Sequence, residues 1–301
     1  MESGAAEPNN RPILTRRHLL LGGASLAVVP VVAACTTSSD PTVPEAAQAS
    51  SSLLGAFPPG DPFIPAGVST RLAYMILDSE GVPLSEIPGE VTFTVSKDGT
   101  RIAEQNVAPR SEGIPRAYLP LVQTFDEEGI YDIGANFEGE EMVSQLQVFS
   151  PSEVISPVVG QQLPAKFTAT EDNPGDVDPI CTLVPPCPFH TVNLEDVVGT
   201  GKPIVLLVAT PAFCQTAFCG PTLGNLIDLA DGRDDLIVIH SEVYLSAKQA
   251  EDDLATAPLA PVPADYGLNI EPVLYVTDDA GVITARADAV VDRSEMAELI
   301  N

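Results

Sequence analysis

Four cysteines fall in two close pairs, Cys181 with Cys187 and Cys214 with Cys219; a fifth, Cys35, stands alone near the N-terminus. Paired thiols bridge, exchange with other disulfides, or hold a soft metal ion. Gln215, Thr216, Ala217 and Phe218 separate the second pair. On a regular helix, residues five apart are rotated by about 140° and lie about 8–9 Å apart at Cα, beyond the roughly 7 Å reach of a disulfide. A bridge therefore needs Cys214 in a loop and Cys219 at or just before the first turn of a helix. Gly220-Pro221 agrees, since Pro is favoured at the first helical position. A thiol placed there meets free backbone N–H groups and the positive end of the helix dipole, which lower its pKa.

The first pair encloses Thr-Leu-Val-Pro-Pro and is followed by Pro188-Phe189-His190. A stiff, Pro-rich loop suits a structural disulfide between Cys181 and Cys187, and that is the favoured reading. The sharper readings are exchange with the 214/219 pair, or a thiolate–imidazole site of Cys181, Cys187 and His190 for Cu(I) or zinc. No fourth ligand is visible in the sequence. His240 reads as a core residue near a strand end, and Glu242 and Tyr244 as rim candidates where open α/β sheets build sites.

The elements that must position these residues alternate from about residue 191. Residues 203–210 are a continuous apolar run, the pattern of a strand buried on both faces. A helix is predicted over 221–230, with Gly232 near its C-terminal end. A strand over 236–243 and a helix over 246–254 follow. A hairpin pairs 272–277 with 282–286 across Asp278-Asp279-Ala280-Gly281. Asp292 then caps a last helix, with Glu295 three residues on. Residues 61–150 differ: period-two alternation over 70–77, 90–96, 116–123, 129–137 and 141–149, with the Asp98-Gly99 turn, predicts an all-β sandwich. Gly129-Ile130-Tyr131 after an acidic turn resembles the approach to a late strand of immunoglobulin-like domains. Residues 151–178, rich in Pro and Gly, read as a connector.

The N-terminus supplies an address. Thr15-Arg16-Arg17 precedes an apolar stretch from Leu19 to Ala34 that contains Gly22, Gly23 and Pro30. It is shorter than the roughly 20 residues of a spanning helix. An arginine pair before such a core marks an export signal. The segment resembles a bacterial twin-arginine signal, with Leu19 where Phe is common. Val32-Ala33-Ala34-Cys35 resembles a lipobox, which implies removal of residues 1–34 and lipid on Cys35. Residues 35–60, small, polar and Pro-spotted, then read as a flexible tether. The implied place is the extracytoplasmic face of a cell membrane.

Thr210-Pro211-Ala212-Phe213-Cys214 at a strand end, Cys219-Gly220-Pro221 at a helix start and Glu271-Pro272 before a strand together resemble the thioredoxin-like superfamily, especially exported redoxin lipoproteins. The resemblance covers about half the chain, residues 156–301. It implies an α/β thioredoxin-like domain behind the immunoglobulin-like sandwich, with the domain and its connector spanning 151–301. It also implies a cis Pro272 against the active cysteines, with Cys214 attacking and Cys219 resolving. Thioredoxins place two residues between their cysteines and Sco-type copper chaperones three. Peroxiredoxins of one type place four, but Phe213 sets Thr210 one position too far from Cys214 for their threonine.

The implied activity is thiol–disulfide exchange with exported protein thiols or disulfides, or with a membrane redox partner. It needs no cofactor. The alternatives are a peroxidase, a Sco-like copper carrier and a non-catalytic binding lipoprotein. With 42 acidic against 14 basic residues and a formal net charge of −28, nucleic acid is excluded as a partner.

Overall fold

A computed structural model describes residues 51–58 and 61–301. The expected signal, the lipidation site Cys35 and residues 36–50 of the expected tether lie outside the described residues. Among the described residues, no helix is long and apolar enough to cross a membrane.

Seven strands come first: β1 (Ser52–Gly55), β2 (Ser69–Leu77), β3 (Val91–Lys97), β4 (Thr100–Val107), β5 (Leu119–Thr124), β6 (Gly129–Phe137) and β7 (Glu140–Val148). They form a three-stranded sheet in the order β1-β2-β5 and a four-stranded sheet in the order β4-β3-β6-β7. Every pairing is antiparallel. Alternation decides the buried face. Val91, Phe93 and Val95 of β3, Tyr131 and Ile133 of β6, and Leu72, Tyr74 and Ile76 of β2 share one core. Each large apolar side chain buried there contributes about 1.5–3 kcal/mol. Asp98 and Gly99 join β3 to β4 with φ of 50° and 74°, the left-handed geometry a two-residue hairpin turn requires. The expected tether is corrected at its end: Ser52–Gly55 pairs with β2 as a strand, because Leu53 finds a place in this core.

Residues 149–193 form no helix or named strand. Then follow α1 (Leu194–Val197), β8 (Ile204–Val208), α2 (Cys219–Ala230), β9 (Ile237–Ser241), α3 (Ala247–Asp252), α4 (Pro261–Asp265), β10 (Val273–Thr277), β11 (Ile283–Asp288) and α5 (Arg293–Leu299). The third sheet has the order β11-β10-β8-β9, with β8 and β9 parallel and the other pairs antiparallel. All five residues of β8 are buried. Ile204, Leu206 and Val208 feed one core with Tyr275 and Ile283. Val205 and Leu207 feed another with Leu223 and Leu226 of α2 and Met296 of α5.

This corrects the expected fold class, an α/β thioredoxin-like domain behind an immunoglobulin-like sandwich. The described chain is mostly β-sheet, with eleven strands in three sheets and five helices of 4–12 residues. An α/β layer needs helices long enough to cover a largely parallel sheet. Here a single strand pair of the third sheet is parallel. Pro258, Pro261 and Pro263 confine helix formation between α3 and β10 to short turns. Irregular chain shares the covering of the sheet with the helices, Leu163 on one face and Cys181, Cys187 and Phe189 beside α2 and α5 on the other.

The described residues 51–58 and 61–301 belong to one compact unit. Arg71 of β2 reaches α5, where it pairs with Glu295 at 2.6 Å, and it donates to the carbonyls of Asp288 and Val290. The Tyr118 hydroxyl donates to Glu295 and accepts from the Asp292 N–H. The network holds the first sheet against the end of the third.

Candidate functional site

The buried run of β8 ends at Ala209 and Thr210, and the chain then turns through residues 211–218 before α2 begins at Cys219 itself. Cys214 and Cys219 are disulfide-bonded, with their Cα atoms 5.9 Å apart. The required arrangement is present: Cys214 lies in the loop, partly exposed, while Cys219 opens the helix, fully buried. Pro221 therefore stands at the third helical residue, not the first. The N-cap residue Phe218 offers no side-chain hydrogen bond to the helix end. The Cys219 N–H points at Cys214 Sγ, 3.2 Å away, and Thr216 Oγ1 lies 3.4 Å from the same sulfur. Phe218 anchors the loop by packing with Met75, Tyr118 and Val290.

Glu271 and Pro272, joined by a cis peptide bond, lead into β10. A carboxylate oxygen of Glu271, Cys214 Sγ and Cys219 Sγ all lie within 4.8 Å of one another. The Oε2 atom of Glu271 is buried without a hydrogen-bond partner among the described residues. Burial, and then the nearby Glu242 carboxylate, push the Glu271 carboxyl up to about 7. A cleft of about 640 Å³ opens beside it, lined among others by Gln215, Thr216, Tyr244 and Glu271. Tyr244 is thus placed at the rim, and its phenol is pushed up by burial and then by Glu271.

The first cysteine pair has a different setting. Cys181 and Cys187 are not bridged. They converge with His190 and His240, all four buried, with one ligand atom from each residue within 4.8 Å of the others. Cys187 Sγ lies 3.3 Å from His190 Nε2 and 3.4 Å from His240 Nδ1. Cys181 Sγ lies 3.7 Å from His240 Nδ1 and accepts from the Cys187 N–H at 3.4 Å. The expected Cys181–Cys187 bridge is thereby replaced by a four-residue cluster compatible with a metal ion. The irregular loop is tied to β9 where the His240 N–H donates to the Phe189 carbonyl. The two sites share scaffold. The Thr182 N–H and hydroxyl both donate to Glu242, and the Ala212 N–H donates to Thr182 Oγ1, two residues before Cys214.

Sequence reasoning missed two residues. His240 reads from the sequence as a core residue, yet an imidazole in a buried strand needs a polar partner, and that requirement points to the cysteines. Glu271 carried a similar signal, a charge immediately before a fully buried strand.

No family model matches this chain, and no curated protein matches it. Among solved structures the chain is similar to the ZirS C-terminal domain, at 14% identity over 42% of this chain and 86% of that one, with a TM-score of 0.21. A likeness at that score carries no argument about fold or function.

Proposed function

We propose that the protein is a thiol–disulfide oxidoreductase working through Cys214 and Cys219, anchored by lipid on Cys35 at the extracytoplasmic face of a membrane, with exported protein thiols or a membrane redox protein as partners. The observation that carries the reading is the bridge between a partly exposed and a buried cysteine at a helix N-terminus, beside a carboxyl with one buried, unpaired oxygen.

In the reduced form the Cys214 thiolate attacks one sulfur of a partner disulfide. The partner's second sulfur leaves with the electron pair of the broken bond and takes a proton. The Cys219 thiol then loses its proton and attacks Cys214 Sγ, which forms the intramolecular bridge and releases the partner's remaining thiolate. Two electrons pass to the partner, and the reverse sequence oxidises a partner dithiol. A carboxylate oxygen of Glu271 lies within 4.8 Å of both sulfurs, a distance one water can bridge, and burial pushes its carboxyl up to about 7, so it is suited to take the Cys219 proton and return it. The cleft beside Gln215 and Tyr244 is where a partner segment would enter.

Trapping tests the reading. Cys219→Ser should accumulate a mixed disulfide between Cys214 and a partner, and Cys214→Ser should trap nothing. Absence of trapping in both variants, with slow alkylation of both reduced thiols at neutral pH, contradicts it. The closeness of the two sulfurs, soft ligands once reduced, favours a second reading, Cu(I) carried by the reduced pair. Tight Cu(I) uptake that is lost with Cys214→Ser, in a protein that traps no partner, would select it.

A further inference from the structure

We propose that Cys181, Cys187, His190 and His240 are the ligands of a resident, closed zinc(II) centre. His240 is the fourth ligand that the sequence pattern of Cys181, Cys187 and His190 lacks.

Geometry is the first argument. Zinc bound at about 2.3 Å to sulfur and 2.0–2.1 Å to nitrogen in a tetrahedron sets ligand atoms apart by about 3.5 Å for S···N and 3.3 Å for N···N. The cluster shows S···N separations of 3.3, 3.4 and 3.7 Å. His190 Nε2 and His240 Nδ1 lie 3.3 Å apart. Four of the six edges that the ion requires are thus already in place, and the other two, both at Cys181 Sγ, are no longer than 4.8 Å.

Protonation is the second. His240 Nε2 lies 3.0 Å from the Ala209 carbonyl, and His190 Nδ1 lies 3.4 Å from the Ala169 carbonyl. A carbonyl oxygen can only accept, so each of those nitrogens carries its ring's hydrogen. In the neutral rings the opposite nitrogens, the ones that face the cluster, hold bare lone pairs. Two acceptors aimed at each other in a dry interior are unfavourable; a thiol S–H satisfies one of them weakly, whereas a cation between them satisfies both and the two sulfurs as well. The same two carbonyls provide the outer hydrogen bonds that orient metal-bound imidazoles.

Charge selects the ion. The four side chains are at most 4% exposed. Two thiolates in such a place are costly unless compensated. A dication with two thiolates and two neutral imidazoles sums to zero, whereas Cu(I) leaves one negative charge buried. Two sulfurs and two nitrogens in a tetrahedron suit zinc. With four protein ligands there is no open coordination position, so the centre is structural. It joins the irregular loop at Cys181–His190 to β9. Through the Ala209 carbonyl it also fixes the backbone that leads to Cys214.

The test uses the whole chain, in wild type and in a Cys214→Ser/Cys219→Ser double variant, purified without chelator. Metal analysis should find about one zinc per chain in both. Cobalt(II) exchanged into the wild type should give strong tetrahedral ligand-field bands and thiolate charge-transfer bands. His190→Gln and His240→Gln should each weaken zinc binding by about 100-fold or more. The cobalt spectrum of the wild type decides the matter even where a variant does not fold. A metal-free protein with a Cys181–Cys187 disulfide overturns the proposal. So do zinc that disappears in the double variant, a cobalt spectrum without thiolate bands, or copper in place of zinc at these four residues.

Discussion

The two cysteine pairs of this protein have nearly the same spacing, six residues against five, and opposite surroundings. Cys214 and Cys219 sit at a helix start, one of them partly exposed, with an acidic side chain and a cleft beside them. Cys181 and Cys187 are sealed in a core, with two imidazoles turned toward them. One pair is bonded and the other is not. Spacing therefore does not decide what a cysteine pair does. Access decides whether a partner can reach the sulfur, and the neighbouring groups decide whether a proton or a metal ion satisfies the thiolate.

The largest expected effect lies at the buried cluster. Binding free energy at a structural zinc site is folding free energy, on the order of 10 kcal/mol in small zinc domains. Chelation, or His240→Ala, should lower the thermal unfolding midpoint steeply, while chelation of a metal-saturated protein with Cys214 and Cys219 reduced should do the same. Equal midpoints with and without chelator would break the contrast between the sites.

Glu271→Gln should act at the other site and in two directions. The folded-state pKa of Glu271 is raised to about 7, so the folded protein holds its proton over a range where the unfolded chain has lost it. Its contribution to stability is therefore complete below pH 4.5, the ordinary value, and is lost as pH rises toward and through 7. The loss amounts to at most about 3 kcal/mol. Glu271→Gln should remove that slope and be relatively more stable at pH 8, as denaturant titrations at several pH values would show. It should also slow exchange by about 100-fold at neutral pH, in line with general acid–base catalysis. An unchanged rate would remove Glu271 from the mechanism and leave the cysteines.

Reduction of Cys214–Cys219 releases a short loop, so it should cost about 2 kcal/mol of unfolding free energy. Denaturant midpoints with and without reductant at fixed metal measure it. The smallest effect is expected at the shared scaffold. Thr182→Val removes hydrogen bonds to Glu242 and Ala212, worth about 1 kcal/mol each, and should change the exchange rate by only a few-fold. A change as large as that of Glu271→Gln would show that the two sites are coupled, not separate.

Much of this was legible where local chemistry is decisive. Asp98-Gly99 makes the β3–β4 turn because those residues tolerate positive φ. The apolar run before Cys214 is a fully buried strand, and Asp292 caps α5 by accepting from the Glu295 N–H. The misses have physical causes. β4 carries Arg101, Glu104 and Gln105 on a largely exposed edge, so its alternation is weak. The Glu138-Gly139 turn between β6 and β7 has the same left-handed geometry as Asp98-Gly99, with φ of 53° and 86°, but Glu is not a residue that announces it. Residues 149–193 cover a sheet without regular structure, which no periodicity reveals, and so a strand-and-helix order overstated the helical layer. His240 and Cys181 are 59 residues apart and meet only through the fold.

Peptide-resolved alkylation of the purified, unreduced protein tests the division of labour most directly. Before any treatment, a Cys214–Cys219 disulfide and two free but shielded thiols at Cys181 and Cys187 are expected. Mild reductant should open 214 and 219 alone to label, and a metal chelator should open 181 and 187 alone. A Cys181–Cys187 disulfide in the untreated protein, or a Cys214–Cys219 bridge that yields only after unfolding, would contradict it.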